Sequence, residues 1–310
     1  MGCIRDKLDQ MEAINTDSLT NFHLHGLNVR LSEKMEVDCV FINSAMIPRL
    51  DDEFRVTLEE IKGTTGQPER DHLIVMLQTS GGLMETVERL VAVMRTHYNQ
   101  VSFVIPNFAY SAGTVLALSG NNIYMDYYSV LGPIDPQILS KDGSRWLPGL
   151  GILAKFDEIC EKINQAKPGE DCRAELAYLV RQFEPEQLFA IEQAKQHGIT
   201  LITEWLPKYK FKEWTKTETN GNKVTDPMRK RRAEEIAQVL GDASRWHSHG
   251  RGISMRELGG NDLKLKIDDF GADEELSNTI RNYHGLAVDY YGKSGVTAYV
   301  HSKLGLRTVR

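Results

Sequence analysis

Two turns of this sequence combine small residues with groups that can take part in acyl chemistry. One contains Gly81 and Gly82, and the other contains Ser111 followed by Ala112. Each turn comes after a short apolar run and before a helical pattern, which indicates the junction of a strand and a helix. The carboxyl ends of parallel strands and the amino ends of helices meet at one edge of a sheet, where ligands bind. We therefore expect the two turns to lie together.

These residue types suit an attack on a carbonyl group. A serine hydroxyl can act as the nucleophile, and two backbone N–H groups can hold the oxyanion that forms. Ala112 would supply one N–H group and Gly81 or Gly82 the other, since glycine lets the backbone approach a ligand closely. A purely structural interpretation is open as well, because serine often caps a helix and glycine often only turns the chain.

Short apolar runs alternate in this sequence with segments whose apolar residues follow helical spacing. These runs and segments predict the strands and helices that must position the two turns. Strands are predicted at residues 37–42, 72–78, 101–105, 122–126 and 129–131. Helices are predicted at residues 51–62, 83–97 and 111–119. Strands that alternate with crossover helices indicate a mostly parallel sheet with helices packed on it, which is an α/β fold.

The remainder of the sequence divides the chain into three predicted regions. Residues 1–35 are polar and weakly patterned, so they are predicted to form an extension before a core at residues 36–166. Residues 167–310 are predicted to be mainly helical, with a surface loop at 206–222 and a strand at 263–267. Further helices are predicted at residues 148–166, 171–183, 185–198, 227–240 and 272–290.

Composition excludes several functional classes. The 310 residues carry a net charge of −6, whereas a general nucleic-acid binder would show a dominant basic face. The basic run at residues 229–232 is followed by two glutamates, which favours a solvated helix face and no nucleic-acid partner. No apolar stretch reaches the ~18 residues of a membrane span, and no signal-peptide core is present. Four cysteines without CxxC spacing indicate a reduced, cytoplasmic protein.

Residues 73–138 carry a family resemblance. The blocks LIVMLQTSGGLMETVERLVAVMR and AYSAGTVLALSGNNIYMDYYSVLGPIDPQI resemble the serine dehydrogenase proteinase family of the Clp-protease/crotonase superfamily, and more distantly signal peptide peptidase A. The resemblance implies a Clp/crotonase-like spiral of mostly parallel strands and helices, with a helical C-terminal region. It implies a serine peptidase that acts on peptides or proteins without a cofactor, forms homo-oligomers, and could have a membrane-protein or unfoldase partner. Ser111 would be the nucleophile, with Gly81, Gly82 and Ala112 forming the oxyanion hole.

The general base is less well defined by this resemblance. Clp proteases take a histidine from the segment that corresponds to residues 130–135, and that segment contains none here. Signal peptide peptidase A and its relatives use a Ser-Lys dyad, in which burial must lower the pKa of the lysine towards neutrality. Lys155 is the first candidate because its neighbours are apolar, and Lys141 and Lys162 are the next.

A histidine-containing loop is a second constellation of interest. His247 and His249 are two residues apart, so on a strand they would point to the same side. A zinc site requires three or four ligands, and no nearby residue completes the set, so no metal is expected. A packed polar loop is one interpretation, with Trp246 as its anchor and Arg251 paired to an acid. In the other, His247, His249 and Arg251 fold over the substrate cleft.

Two functions compete with peptide hydrolysis. A crotonase-like acyl-CoA enzyme would use the same backbone hole with a carboxylate acid/base, for which Glu85 and Asp126 are candidates. A catalytically silent assembly module would keep the fold and the oligomer but not the chemistry. Only the peptidase hypothesis expects covalent labelling of Ser111 by a fluorophosphonate.

Overall fold

The computed structural model describes most of the chain. The described residues are 15–64, 70–140, 146–167, 170–217, 220–246, 248 and 250–310. Residues 1–14 of the predicted extension lie outside them, and so do three candidates named above, Lys141, His247 and His249.

A seven-stranded sheet forms the centre of the described structure, in the order β10-β5-β3-β2-β1-β11-β12. Its strands are β1 (Asp38–Asn43), β2 (His72–Gln78), β3 (Gln100–Val104), β5 (Asn122–Met125), β10 (Asp268–Asp269), β11 (Tyr299–Ser302) and β12 (Gly305–Thr308). The strands from β10 to β1 are parallel, and β11 and β12 are antiparallel additions beside β1. The predicted α/β fold with a mostly parallel sheet is therefore confirmed, whereas the Clp/crotonase-like spiral stays a prediction.

Helices cover both faces of this sheet, and the alternation of side chains along β2 shows how. The side chains of Leu73, Val75 and Leu77 point from the first face of the sheet into one apolar cluster. Those of Ile74 and Met76 point from the second face into the other cluster. Strands buried on both faces read as continuous apolar runs, which is why the strands of the core are visible in the sequence. The helices of the first face are α2 (Leu50–Gly63), α3 (Met84–His97) and α4 (Ala112–Leu118). Those of the second are α1 (Thr16–Lys34) and α11 (Glu274–Lys293).

Helix α1 occupies most of the described part of the predicted extension at residues 1–35, and this division of the chain stays a prediction. It begins at the cap residue Asn15, whose side chain accepts a hydrogen bond from the Ser18 N–H group at 2.9 Å. Leu24, Leu27 and Leu31 are fully or almost fully buried against the sheet. Three leucines at helical spacing form only a narrow apolar stripe in a polar segment, so the sequence pattern did not reveal it.

The C-terminal half contains the predicted helices and also unpredicted strands. Its helices include α5 (Gly149–Asn164), α6 (Arg173–Gln182), α7 (Pro185–Trp205), α8 (Asp226–Leu240), α9 (Ala243–Trp246) and α10 (Met255–Leu258). The predicted loop begins with a π-helical turn at Leu206–Lys210. The prediction of a strand at residues 263–267 is wrong. The strand of this region is β10, at Asp268–Asp269, and it pairs with β5. The division at residue 166 stays a prediction, although the sheet includes strands from both sides of it.

A small second sheet carries the turn that contains Ser111. Its strands are β4 (Phe108–Ala109), β6 (Val130–Leu131) and β9 (Ile253–Ser254), in the order β4-β6-β9. A separate hairpin pairs β7 (Gln137–Leu139) with β8 (Trp146–Pro148). Across the ranges that the structure describes, no helix combines the length and hydropathy that a membrane crossing requires.

Candidate active site

Ser111 occupies a strained turn between strand β4 and helix α4. Its backbone angles are φ 52° and ψ −117°, a region that non-glycine residues rarely adopt. Such a conformation costs about 1–3 kcal/mol and persists only where the surrounding structure imposes it. A serine on a sharp strand-to-helix turn is the geometry of a nucleophile elbow. Ser111 is the N-cap residue of α4, but its hydroxyl makes no capping hydrogen bond.

The Thr114 side chain stabilises this turn through hydrogen bonds to the segments that end in Ala109 and Gly132. The Thr114 hydroxyl oxygen lies 2.9 Å from the Ala109 carbonyl oxygen and 2.8 Å from that of Gly132. It also accepts a hydrogen bond from the Gly132 N–H group at 3.0 Å. Thr114 is fully buried, so these contacts are shielded from water and fix α4 against the strand that precedes it.

The double-glycine turn runs beside the serine turn, as the sequence predicts. The Thr79 N–H group donates to the Phe108 carbonyl at 3.2 Å, and the Tyr110 N–H group donates to the Thr79 carbonyl at 3.0 Å. A Cβ atom built on Gly81 would lie 2.8 Å from the Tyr110 carbonyl oxygen and 2.9 Å from Ser111 Cβ. Only glycine fits at this contact, and its φ of 96° is also one that glycine adopts without strain.

Two backbone N–H groups next to the serine turn make no hydrogen bond within the described part of the chain. Among the described residues, neither the Gly82 N–H group nor the Ala112 N–H group has an acceptor. The Gly81 N–H group instead donates to the Thr79 hydroxyl at 3.1 Å. We therefore assign to Gly81 the role of bringing the turns together, and the oxyanion hypothesis narrows to Gly82 and Ala112. The Ser111 hydroxyl also has no hydrogen-bond partner in the described part of the chain.

A cavity of about 920 Å³ opens over these groups, with Gly81, Gly82 and Ser111 among its lining residues. One face of helix α7 forms a wall through Ala190, Gln193, Ala194 and His197, which follow helical spacing. Most of the other lining side chains are apolar, and they include Leu83, Met84 and Ile134. The volume falls in the range of small-molecule and peptide side-chain sites.

The lysine candidates lie in solvent. Lys155 is 52% exposed and forms an ion pair with Glu158 at 2.8 Å. Lys162 is 67% exposed and forms an ion pair with Glu175 at 2.5 Å, and this hydrogen bond raises the pKa of the lysine. Neither lines the cavity. The desolvation that a lysine base requires is therefore absent at both positions.

The described part of the histidine loop fits the packed-loop interpretation. The Trp246 side chain is buried, and its indole N–H group donates to the Val239 carbonyl at 2.7 Å. The Arg251 guanidinium pairs with Glu257 at 3.3 Å and does not line the cavity. The substrate-cleft interpretation stays a prediction for His247 and His249, which lie outside the described residues.

His197 is a cavity residue that the sequence analysis missed. Its Nε2 atom lies 3.1 Å from the Glu88 carboxylate on α3, and its side chain is 32% exposed. The sequence signal that could have found it is Gly198, a glycine within a helical pattern. A Cβ atom there would lie 3.2 Å from Ile134 Cγ2, so the glycine allows α7 to approach the cavity wall closely.

The two carboxylates considered for a crotonase-like reaction differ in position. Glu85 lines the cavity. Asp126 is almost fully buried and forms an ion pair with Arg281, and it also accepts a hydrogen bond from the Tyr128 N–H group. Asp126 is therefore a structural residue and not a member of this site.

A sequence model of the ClpP-like SDH-type serine proteinases matches residues 50–151. The resemblance to this proteinase family is confirmed. The matched segment includes both turns and α2 to α4, and the family is one of serine proteinases.

Individual proteins are less informative than this family match. Two uncharacterized proteins of Methanocaldococcus jannaschii are similar to the chain, at 24% identity over 186 residues and 35% over 97 residues. The matches cover 58% and 31% of this chain, and they span 59% and 31% of the two relatives. A crystal structure of a peptidase from Plasmodium falciparum aligns over 78% of this chain and 97% of that one, with 13% identity and a TM-score of 0.38.

Proposed function

We propose that this protein is a serine peptidase in which Ser111 is the nucleophile. The observation that carries the proposal is the strained strand-to-helix turn, which places Ser111 at the cavity. Within the described residues, the Ser111 hydroxyl and the Gly82 and Ala112 N–H groups have no hydrogen-bond partner. The serine proteinase family matched by residues 50–151 supports the same chemistry.

The proposed reaction proceeds through an acyl-enzyme. Ser111 Oγ forms a bond to the carbonyl carbon of the peptide as its proton passes to a base, and the carbonyl oxygen becomes negatively charged. The Gly82 and Ala112 N–H groups donate hydrogen bonds to this oxygen, a stabilisation worth about 3–4 kcal/mol per donor in other hydrolases. The C–N bond then breaks, and the amine leaves with the proton. Water hydrolyses the resulting ester by the same steps and restores the Ser111 hydroxyl.

The proposed assembly rests on the family resemblance, and the proposed location rests on the four cysteines without CxxC spacing. We propose a homo-oligomer in the cytoplasm that acts on peptides or proteins and needs no cofactor. A membrane-protein or unfoldase partner that delivers substrate is part of the same proposal. A Ser-Lys dyad in which Lys155 is the general base remains part of the proposal as an alternative.

Labelling with a fluorophosphonate tests the nucleophile. We expect the wild type to be labelled at Ser111 and Ser111→Ala to be unlabelled and inactive on peptides. Ser80 is an exposed serine that lines the same cavity, so Ser80→Ala is a matched control that should still be labelled. Mapping the label by mass spectrometry to Ser80, or finding that Ser111→Ala still turns over peptide, would refute the proposal.

A crotonase-like enzyme is the second candidate, because Glu85 lies in the cavity with the Gly82 N–H group. In that case Glu85→Gln should abolish acyl-CoA turnover while Ser111→Ala retains it. The absence of both labelling and acyl-CoA turnover in the assembled protein would instead favour the silent assembly module.

A further inference from the structure

We propose that His197 is the general base of this site and that Glu88 is the carboxylate that positions it. The inference rests on the proposed serine-peptidase function. It assigns the base to helix α7, outside the segment that matches the family and distinct from every lysine considered above.

The position of His197 is the first argument. Its side chain and Ser111 line the same cavity, and it belongs to the face of α7 that forms a wall of that cavity. The neighbouring Gly198 is buried, and a Cβ atom there would lie 3.2 Å from Ile134 Cγ2 and 3.6 Å from Met84 Cε. Both contacted residues also line the cavity. Gly198 therefore brings this turn of α7 against the site.

The second argument is the hydrogen bond between His197 and Glu88. His197 Nε2 lies 3.1 Å from the Glu88 carboxylate oxygen, and in the neutral imidazole this geometry assigns the proton to Nε2. The lone pair on Nδ1 is then available, and no described residue occupies it. A carboxylate that fixes the tautomer of a histidine and stabilises its charged form is the third member of a serine triad.

The charged side chains that the described residues place at the His197 ring and in the cavity are carboxylates. Helix α3 presents Glu88 to the ring and Glu85 to the cavity. Helix α4 carries no titratable side chain, and β7 contributes Gln137. Lys155, on α5, is paired with Glu158. The described residues that line the cavity include no lysine or arginine.

The proton of the Ser111 hydroxyl passes to His197 and then to the leaving amine. Nδ1 of His197 accepts the Ser111 hydroxyl proton, directly or through one water molecule, as Oγ bonds to the carbonyl carbon. The imidazolium then donates this proton to the leaving amine nitrogen when the C–N bond breaks. In the second half-reaction Nδ1 accepts a proton from water and returns it to Ser111 Oγ.

The test measures the rate of fluorophosphonate labelling and of peptide hydrolysis from pH 5 to 9. Replacement of a general base costs about 10²–10⁴-fold in rate, so we expect losses of this size in His197→Gln and His197→Ala. Exogenous imidazole should restore part of the rate in His197→Ala, which a structural role would not produce. The wild-type rate should rise with pH, because a general base accepts a proton only in its deprotonated form. Glu88→Gln should lower kcat with little change in KM.

Controls separate this inference from the function on which it rests. His23 is an exposed histidine on α1, across the sheet from the site, so His23→Gln should keep the wild-type rate. If Ser111 is labelled at the same rate in wild type and His197→Gln, His197 is not the base although the peptidase function stands. A loss in Lys155→Met but not in His197→Gln would assign the base to the lysine. If the wild type is not labelled at Ser111, the proposed function itself fails.

Discussion

The backbone strain at Ser111 predicts an unusual response to two substitutions. Ser111→Ala and Ser111→Gly both remove the hydroxyl, so both should be inactive. They differ in the backbone, because alanine must keep the unfavourable φ of 52° whereas glycine adopts it freely. We therefore expect the glycine variant to be the more stable of the two, the reverse of the usual order.

The size of the difference follows from two opposing contributions. Relief of the strain contributes about 1–3 kcal/mol, and the greater freedom of glycine in the unfolded chain offsets about 0.5–1 kcal/mol of it. The net gain is therefore about 0–2.5 kcal/mol, with a middle value of about 1.3 kcal/mol. Unfolding entropy near ~2 cal/mol/K per residue converts the middle value to roughly 2 °C in Tm for 310 residues.

Calorimetry of the two variants at equal concentration measures this difference. Ser80 supplies the control, because its backbone lacks a positive φ. Ser80→Gly should therefore be less stable than Ser80→Ala by about 0.5–1 kcal/mol. If Ser111→Gly melts at or below Ser111→Ala, the turn stores no strain and the argument for an imposed nucleophile conformation fails.

Two further predictions concern stability. Gly82→Ala should lose at least ~100-fold in activity and several kcal/mol of stability, because the new Cβ would lie 2.5 Å from the Met46 carbonyl oxygen. Gly285→Ala, on open helix surface, should instead gain up to ~1 kcal/mol by urea unfolding, and equal effects at the two sites would contradict this reasoning. Burial lowers the pKa of His301 to about 4, and its Nδ1 atom lies 2.5 Å from the Tyr283 hydroxyl oxygen. Below pH ~6.5 the unfolded chain therefore binds more protons than the folded one. As a result, about 3 kcal/mol of the free energy of unfolding at neutral pH is lost as the pH falls towards 4. Urea midpoints in His301→Phe should fall less over this range than in the wild type.

The part of the site built from adjacent elements could be predicted from sequence. The strand at residues 72–78 is continuous and apolar, so its bounds in the sequence and the structure coincide. The residues that follow it, Gly81 and Gly82, meet Ser111 because neighbouring parallel strands end at the same edge. Local patterns suffice where the chain order and the spatial order are the same.

The remaining features depend on contacts that are distant in sequence. His197 lies on a helix whose period is visible, but a single sequence does not say which face of α7 covers the cavity. Strand β11 contains His301 and Ser302 and lacks an apolar run, and only its pairing with β1 makes it a strand. The role of Gly81 also could not be predicted, because the sequence does not show that its N–H group donates a hydrogen bond to the Thr79 hydroxyl.

The pairing of β1 with β11 also sets the order in which the sheet can be completed during synthesis. Val40 lies opposite Ser302, and Ile42 lies opposite Val300. Strand β1 therefore keeps an open, apolar edge until β11 has been translated, which takes tens of seconds at ~5–20 residues per second. An open edge can pair with another chain, so nascent or truncated molecules should be prone to aggregation. Protection from aggregation, as well as the finished sheet, thus depends on the synthesis of β11 and β12.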